Sequence, residues 1–171
     1  MGSQADAEFV ALVRRRWDVL VRTAVLLGVR TAEAEDVVQT ALIRCYRHWE
    51  RVGAADNLDG YVHRVLVNTV IDAARRRSWH ETPVEVVADA DRTAPDDPEL
   101  RLDLARRLAA LPEGQRAALV LRFYLDLSER ETAEALGIAP GTVKSRVARA
   151  LGTLADAPAG RPEREETPWT S

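Results

Sequence analysis

Two helical faces in this 171-residue chain carry side chains suited to nucleic acid. The first lies in PGTVKSRVARAL, from Pro140 to Leu151. There Lys144, Ser145, Ala148 and Arg149 share one side, Arg146 flanks them, and no acid falls between Pro140 and Leu154. Cations hold phosphates and a guanidinium can pair bidentately with guanine, so such a helix suits a major groove. The second face lies in YVHRVLVNTVIDAARRR, where Arg64, Asn68, Asp72 and Arg75 recur in steps of three or four. Arg76 and Arg77 extend its positive end, although cations in a last turn also suit the helix dipole. Asn68 is harder to explain away. Asparagine is a poor helix former, and this one interrupts the apolar run LVNTV.

These faces need elements to hold them. Ser128 followed by Glu131 reads as a capping box that starts a short helix with Ala133 and Leu136 on its apolar side. Gly137 suits the left-handed residue after a helix, and Pro140 can open the next one. Val143, Val147, Ala150 and Leu151 are expected to face the core, which completes a helix-turn-helix. An ordinary helical hairpin with a solvated basic face is the blander alternative.

Upstream, Met1 to Ala7 reads as a frayed polar leader. Phe9, Val13, Trp17, Leu20, Ala24 and Leu27 then form a stripe that Gly28 ends. Thr31 is expected to cap a second helix, with Ala34, Val38, Ala41, Cys45 and Trp49 inward and Asp36, Gln39, Thr40, Arg44 and Arg47 outward. A third helix, from about Gly60 to Trp79, turns Val62, Val65, Thr69, Val70 and Ala73 inward. The stretch from His80 is acidic and proline-bearing, which predicts an extended tether. Beyond Pro98, one helix carries Leu104, Leu108 and Leu111, and Pro112 breaks it. Another, Glu113 to Leu125, turns Ala117, Ala118, Leu121, Phe123, Tyr124 and Leu125 toward the hairpin. The expected architecture is all-α: a helical domain over 8–79, a flexible acidic linker over 80–97, a second helical domain over 98–154 and a disordered tail over 155–171.

The net charge of −3 is unusual for a free-standing DNA binder, so the distribution of charge matters more than its sum. No apolar run is long enough for a signal peptide or a membrane span. The single cysteine, Cys45, excludes an internal disulfide, which points to the cytoplasm, and its core-facing position suits a buried, inert thiol. No phosphate loop occurs, and His48, His63 and His80 show no ligand spacing, so no metal, cofactor or enzymatic activity is expected.

Three blocks together, AEDVVQTALIRCYRHW from Ala34, YVHRVLVNTVIDAARRR from Tyr61 and LPEGQRAALVLRFYLDLSERETAEALGIAPGTVKSR from Leu111, resemble the group IV (extracytoplasmic-function, ECF) sigma factors of bacterial RNA polymerase. The flavour is that of the actinobacterial SigE-like subgroup, with Thr40 where the family usually has an acid. The resemblance covers about Phe9 to Leu154 and implies a region 2-like and a region 4-like domain. It implies that Asp36 and Gln39 face the β′ clamp helices of core polymerase, with the β flap as a further contact. It implies that Arg64, Asn68, Arg75, Arg76 and Arg77 grip the opened −10 element. It likewise assigns Thr142, Lys144, Ser145, Arg146 and Arg149 to the −35 element. Promoter DNA and core polymerase are then the partners, an anti-sigma factor is a possible third, and no membrane insertion is implied.

The spacing is consistent with this. Elements about 25 base pairs apart lie roughly 85 Å apart at ~3.4 Å per pair. A linker of about 20 residues reaches at most about 70 Å, enough for two domains to straddle both. The rival readings are a stand-alone helix-turn-helix regulator with an N-terminal sensing domain and a protein-binding helical adaptor. The first leaves the VLVN–RRR block unexplained, and the basic recognition face argues against the second.

Overall fold

A computed structural model describes residues 3–49, 57–77 and 98–156. Helix α1 spans Ser3–Leu26, α2 Thr31–Tyr46 and α3 Leu58–Arg77. From Ser3 on, the leader expected to fray is helical instead. The Tyr46 hydroxyl donates to Asp6 Oδ1 at 2.8 Å, and Phe9 packs against the Tyr46 and Trp49 rings with centroids 4.9 and 5.1 Å away. A polar leader gains helix here because α2 supplies partners for its first turns. Gly28, at φ +99°, ends the α1 turn as expected. Thr31 is the first residue of α2 rather than its cap; the N-cap is Arg30, whose side chain pairs with Glu33 instead of capping.

The stripe expected on α2 is buried throughout, from Ala34 to Trp49, and Leu42 joins it. On α1, Leu12, Leu20, Ala24 and Leu27 are buried, whereas Phe9, Val13 and Trp17 are half-buried. Asn57 starts α3 by accepting the Gly60 N–H at 2.8 Å. The inward face of α3 is wider than its spacing suggests. Val62, Thr69 and Val70 are buried as expected, Val65 and Ala73 only partly, and His63, Leu66 and Val67 are buried besides.

Helix α4 spans Pro98–Ala110 and α5 Glu113–Leu119. Val120–Tyr124 is then a π-helical turn, α6 is Glu129–Leu136, and α7 is Pro140–Asp156. Leu111 is buried and Leu108 packs against the small core below α7, but Leu104 faces out at 42% exposure. Phe123, expected inward, is 62% exposed, because the widened turn places it a step further round the axis than α-helical winding would. Leu151 is also exposed, while Val143 and Ala150 are fully buried. Helix α7 runs two residues beyond the expected boundary at 154. The expected tether over 80–97 lies outside the described residues, as does the tail from 157.

The two halves are not separate bodies. Helix α6 packs against α3, and one continuous core takes in Leu20, Val38 and Leu66 together with Leu121, Leu127 and Ala135. His63 sits in this core at 6% exposure, and burial, the dominant cause, lowers its pKa; nearby Arg16 also lowers it while Asp59 raises it. The unfolded chain therefore binds the proton first, near pH 6.5. Above that pH both states are neutral and His63 contributes no slope; below it, stability falls as pH falls. Melting temperatures between pH 7.5 and 5.5 are expected to drop for the natural chain and to drop less for His63→Gln. Equal slopes in both proteins would place the acid sensitivity elsewhere.

Candidate nucleic-acid interface

The α6–α7 hairpin begins with the capping box expected of it. The Glu131 N–H donates to Ser128 Oγ at 3.2 Å, and the Ser128 N–H donates to Glu131 Oε2 at 2.8 Å. These bonds hold the Glu131 carboxyl below its usual range, and such a cap is worth about 1 kcal/mol. Gly137, at φ +64°, closes α6 in the left-handed conformation, and Ile138 N–H returns to the Ala133 carbonyl at 3.1 Å. Small Ala133 and buried Val143 let the two helices cross closely. The hairpin thus fixes the direction in which α7 presents its outer face.

On that face Lys144 and Arg149 are exposed, with no acid beside them in the helix. The remaining candidates are more constrained. Thr142 is half-buried in the first turn, and Ser145 Oγ donates to the Thr142 carbonyl at 3.0 Å. Arg146 folds over Gly114 of α5, close enough that a Cβ there would lie 2.9 Å from its Nη1. A glycine at 114 gives the guanidinium room. The outer face therefore has two projecting cations and a ring of tethered polar groups behind them.

On α3, Arg64 and Asn68 are both exposed one turn apart, and Arg75 and Arg76 are exposed toward its end. Arg76 Nε donates back to the Asp72 carbonyl at 3.2 Å. The side chain of Arg77 lies outside the described residues. Sequence reasoning placed Arg44 on the outer side of α2, but it reaches across to α3. Its Nη1 donates to Asp72 Oδ2 at 2.9 Å and to Thr69 Oγ1 at 3.2 Å. This contact neutralises the one acid on the Arg64–Asn68–Arg75 stripe and fixes α3 against α2. Helical spacing cannot find such a pair, because it joins residues 28 apart in the chain.

Asp36 and Gln39 stand exposed on α2, on a different side of the first half from its buried stripe. Thr40 Oγ1 donates to the Asp36 carbonyl at 2.9 Å, so this hydroxyl is turned back onto the helix. Gln39 borders a shallow apolar groove between α1 and α2 that includes Val10, Trp17 and Ile43. Val10 and Ile43 are 45% and 55% exposed. Cys45 is fully buried, and burial pushes its thiol up to about 11, as an inert cysteine requires.

Comparison with known proteins matches these two halves. The family description Sigma-70 region 2 matches residues 12–80, and Sigma-70, region 4 matches residues 101–154. The chain is 39% identical over 150 residues to the RNA polymerase sigma-E factor of Streptomyces avermitilis, covering 86% of this chain and 83% of that one. It is 38% identical over 149 residues to the ECF RNA polymerase sigma factor SigM of Mycobacterium tuberculosis, covering 86% and 75%. Among solved structures it resembles the sigma factor RpoE in complex with the anti-sigma factor NepR from Bartonella quintana. That match has a TM-score of 0.74 at 25% identity and covers 86% of this chain and 94% of that one. The fold also resembles CnrH in complex with the cytosolic domain of CnrY, with a TM-score of 0.64 at 23% identity, covering 90% and 91%.

Proposed function

Since the chain belongs to the ECF sigma factors and directs promoter recognition and transcription initiation by RNA polymerase, we propose that α3 and α7 divide the reading of DNA between them. Helix α7 reads the −35 element, with Arg149 at a base edge and Lys144 on phosphate, while Thr142, Ser145 and Arg146 hold the register. Helix α3 receives the opened −10 strand. An extruded base needs hydrogen bonds to its edge, which the Asn68 amide supplies, and Arg64, Arg75, Arg76 and Arg77 hold the backbone around it. What carries this reading is the exposure of Asn68 beside Arg64, on a face whose one acid is already neutralised by Arg44.

Asp36 and Gln39 dock on the β′ clamp helices of core polymerase, and the second half meets the β flap. The chain supplies recognition and no catalytic group, since the chemistry belongs to polymerase. It works in the cytoplasm, where polymerase and promoter are. An anti-sigma factor is a further partner consistent with the complexes that its structural relatives form.

Purified chain mixed with core polymerase is expected to co-elute from a sizing column and to support run-off transcription from a subset of a promoter library. Asp36→Ala combined with Gln39→Ala should reduce co-elution without lowering the melting temperature. Unchanged co-elution by the double variant would remove the polymerase role from these two residues. No co-elution of the natural chain would remove the reading as a whole.

A further inference from the structure

Asp72 is the one residue on the α3 stripe whose charge opposes its neighbours. Arg64, Asn68 and Arg75 suit a nucleic-acid strand, and a bare carboxylate among them would repel phosphate. What Asp72 does there is hold Arg44. The Arg44 Nη1 donates to Asp72 Oδ2 at 2.9 Å and to Thr69 Oγ1 at 3.2 Å. Thr69 is itself fixed, since it is buried and its hydroxyl donates to the Val65 carbonyl at 2.7 Å. With its proton committed to Val65, that oxygen is left to accept from Arg44.

The form of this ion pair differs from that of a brace. Arg16 grips Asp59 through two parallel bonds, Nε to Oδ1 at 3.1 Å and Nη2 to Oδ2, the fork-to-fork geometry of a strong arginine–carboxylate pair. Arg44 instead uses a single nitrogen for both of its partners. Its Nε–Nη2 edge, the fork that fits carboxylate or phosphate, has no partner among the described residues. The Arg44 and Asp72 side chains are 39% and 46% exposed, so solvent screens the pair and it contributes little to stability. An arginine fixed by two acceptors and open along its fork can take an anion at little ordering cost.

Its place on the surface identifies the anion. Side chains four apart on a helix lie about 5–6 Å from each other. Asp72, and with it the guanidinium, therefore stands one turn beyond Asn68, as Arg64 stands one turn before it. A base drawn out of its stack leaves a phosphate on either side of its sugar. We propose that Arg44 is a strand-binding residue contributed by α2: Thr69 and Asp72 hold it so that its Nε–Nη2 fork receives a phosphate beside the nucleotide whose base Asn68 reads. Asp72 then serves the site through Arg44 as a positioning residue, which accounts for an acid among cations. The inference deepens the −10 reading of α3 and rests on it.

A double-mutant cycle on the holoenzyme tests the contact. The probe is a single-stranded oligonucleotide carrying the −10 sequence of a promoter found by run-off transcription, titrated at several salt concentrations. Arg44→Gln should weaken binding severalfold and flatten the log–log salt dependence by about 0.7, the loss of one phosphate contact on a single strand. Its melting temperature should be unchanged, because the pair is exposed. Asp72→Asn keeps an acceptor for Nη1 and should not weaken binding, and in that background Arg44→Gln should still cost severalfold. If Arg44→Gln costs nothing once Asp72 is neutral, Arg44 only screens the acid and the contact is overturned. An unchanged salt slope in Arg44→Gln overturns it too, as does a loss of binding that comes only with a lowered melting temperature. Asp72→Ala, equally neutral, releases the guanidinium and should bind more weakly than Asp72→Asn; equal affinities overturn the positioning role. Arg130→Gln removes the same charge at an exposed site in the second half and should leave affinity and slope as they are. An equal loss there would make the effect one of net charge and overturn the contact. Arg64→Gln and Asn68→Ala, run alongside, test the underlying reading. If neither weakens binding of the oligonucleotide, α3 does not receive the strand and the inference falls with that reading; if both do and Arg44→Gln does not, the inference alone fails.

Discussion

Asn68→Ala is expected to leave the protein as stable as the natural chain and to abolish strand opening at the −10 element. The side chain is exposed on α3, so its removal leaves no buried partner unpaired. Alanine is the better helix former, and stability should rise by a few tenths of a kcal/mol. A structural amide would behave in the opposite way, costing about 1–3 kcal/mol for the partner left unmet. The variant should still bind core polymerase and double-stranded promoter, because Arg64 and the −35 face are untouched. Permanganate reactivity of −10 thymines should vanish, because the extruded base has lost its hydrogen-bonding partner. Thermal melts paired with that footprint decide between the accounts; a lowered melting temperature with normal opening would reject the −10 role.

Arg149→Ala should weaken binding to the preferred −35 sequence by about 1–3 kcal/mol, roughly five- to a hundred-and-fiftyfold, and relax preference at one base position. Lys144→Ala should lose affinity evenly across sequences and flatten the salt dependence, because a point charge on phosphate carries no sequence information. Both side chains project from α7 without a structural task, so neither change should lower the melting temperature. Competition transcription over a randomised −35 library separates the two patterns. Undiminished selectivity in Arg149→Ala would move the base contact to another residue of the helix.

The parts of this fold that could be read from sequence are those governed by local rules. The Ser128–Glu131 box, the Gly137 turn, the opening of α7 at Pro140 and the buried stripe of α2 depend on residues within a turn or two of each other. The parts that could not be read depend on groups that arrive from far along the chain. The first residues of α1 are helical because Tyr46 reaches Asp6. Arg44 looked like a surface cation because its partner lies on α3. His63 and Val67 are buried in a molecule where α6 also packs on α3, and no periodicity in α3 announces that third neighbour. The candidate site shows the same division. Exposure of Arg64, Asn68, Lys144 and Arg149 could be read from helical spacing, whereas the fold of Arg146 over Gly114 and the turning back of Ser145 could not.

The π-turn at Val120–Tyr124 has a consequence for how the second half tolerates change. There the Leu125 N–H returns to the Val120 carbonyl, five residues back, at 3.2 Å. Such a turn holds one residue more than ordinary winding, which amounts to a phase shift of about 100° between the segments on its two sides. Upstream is α5, whose Ala117 meets the shared core; downstream is the hairpin that aims α7. The length of this short segment therefore acts as an angular setting. Side-chain exchanges at exposed Phe123 leave that setting alone, whereas loss or gain of a single residue would rewind the turn and rotate the α6–α7 hairpin relative to α5.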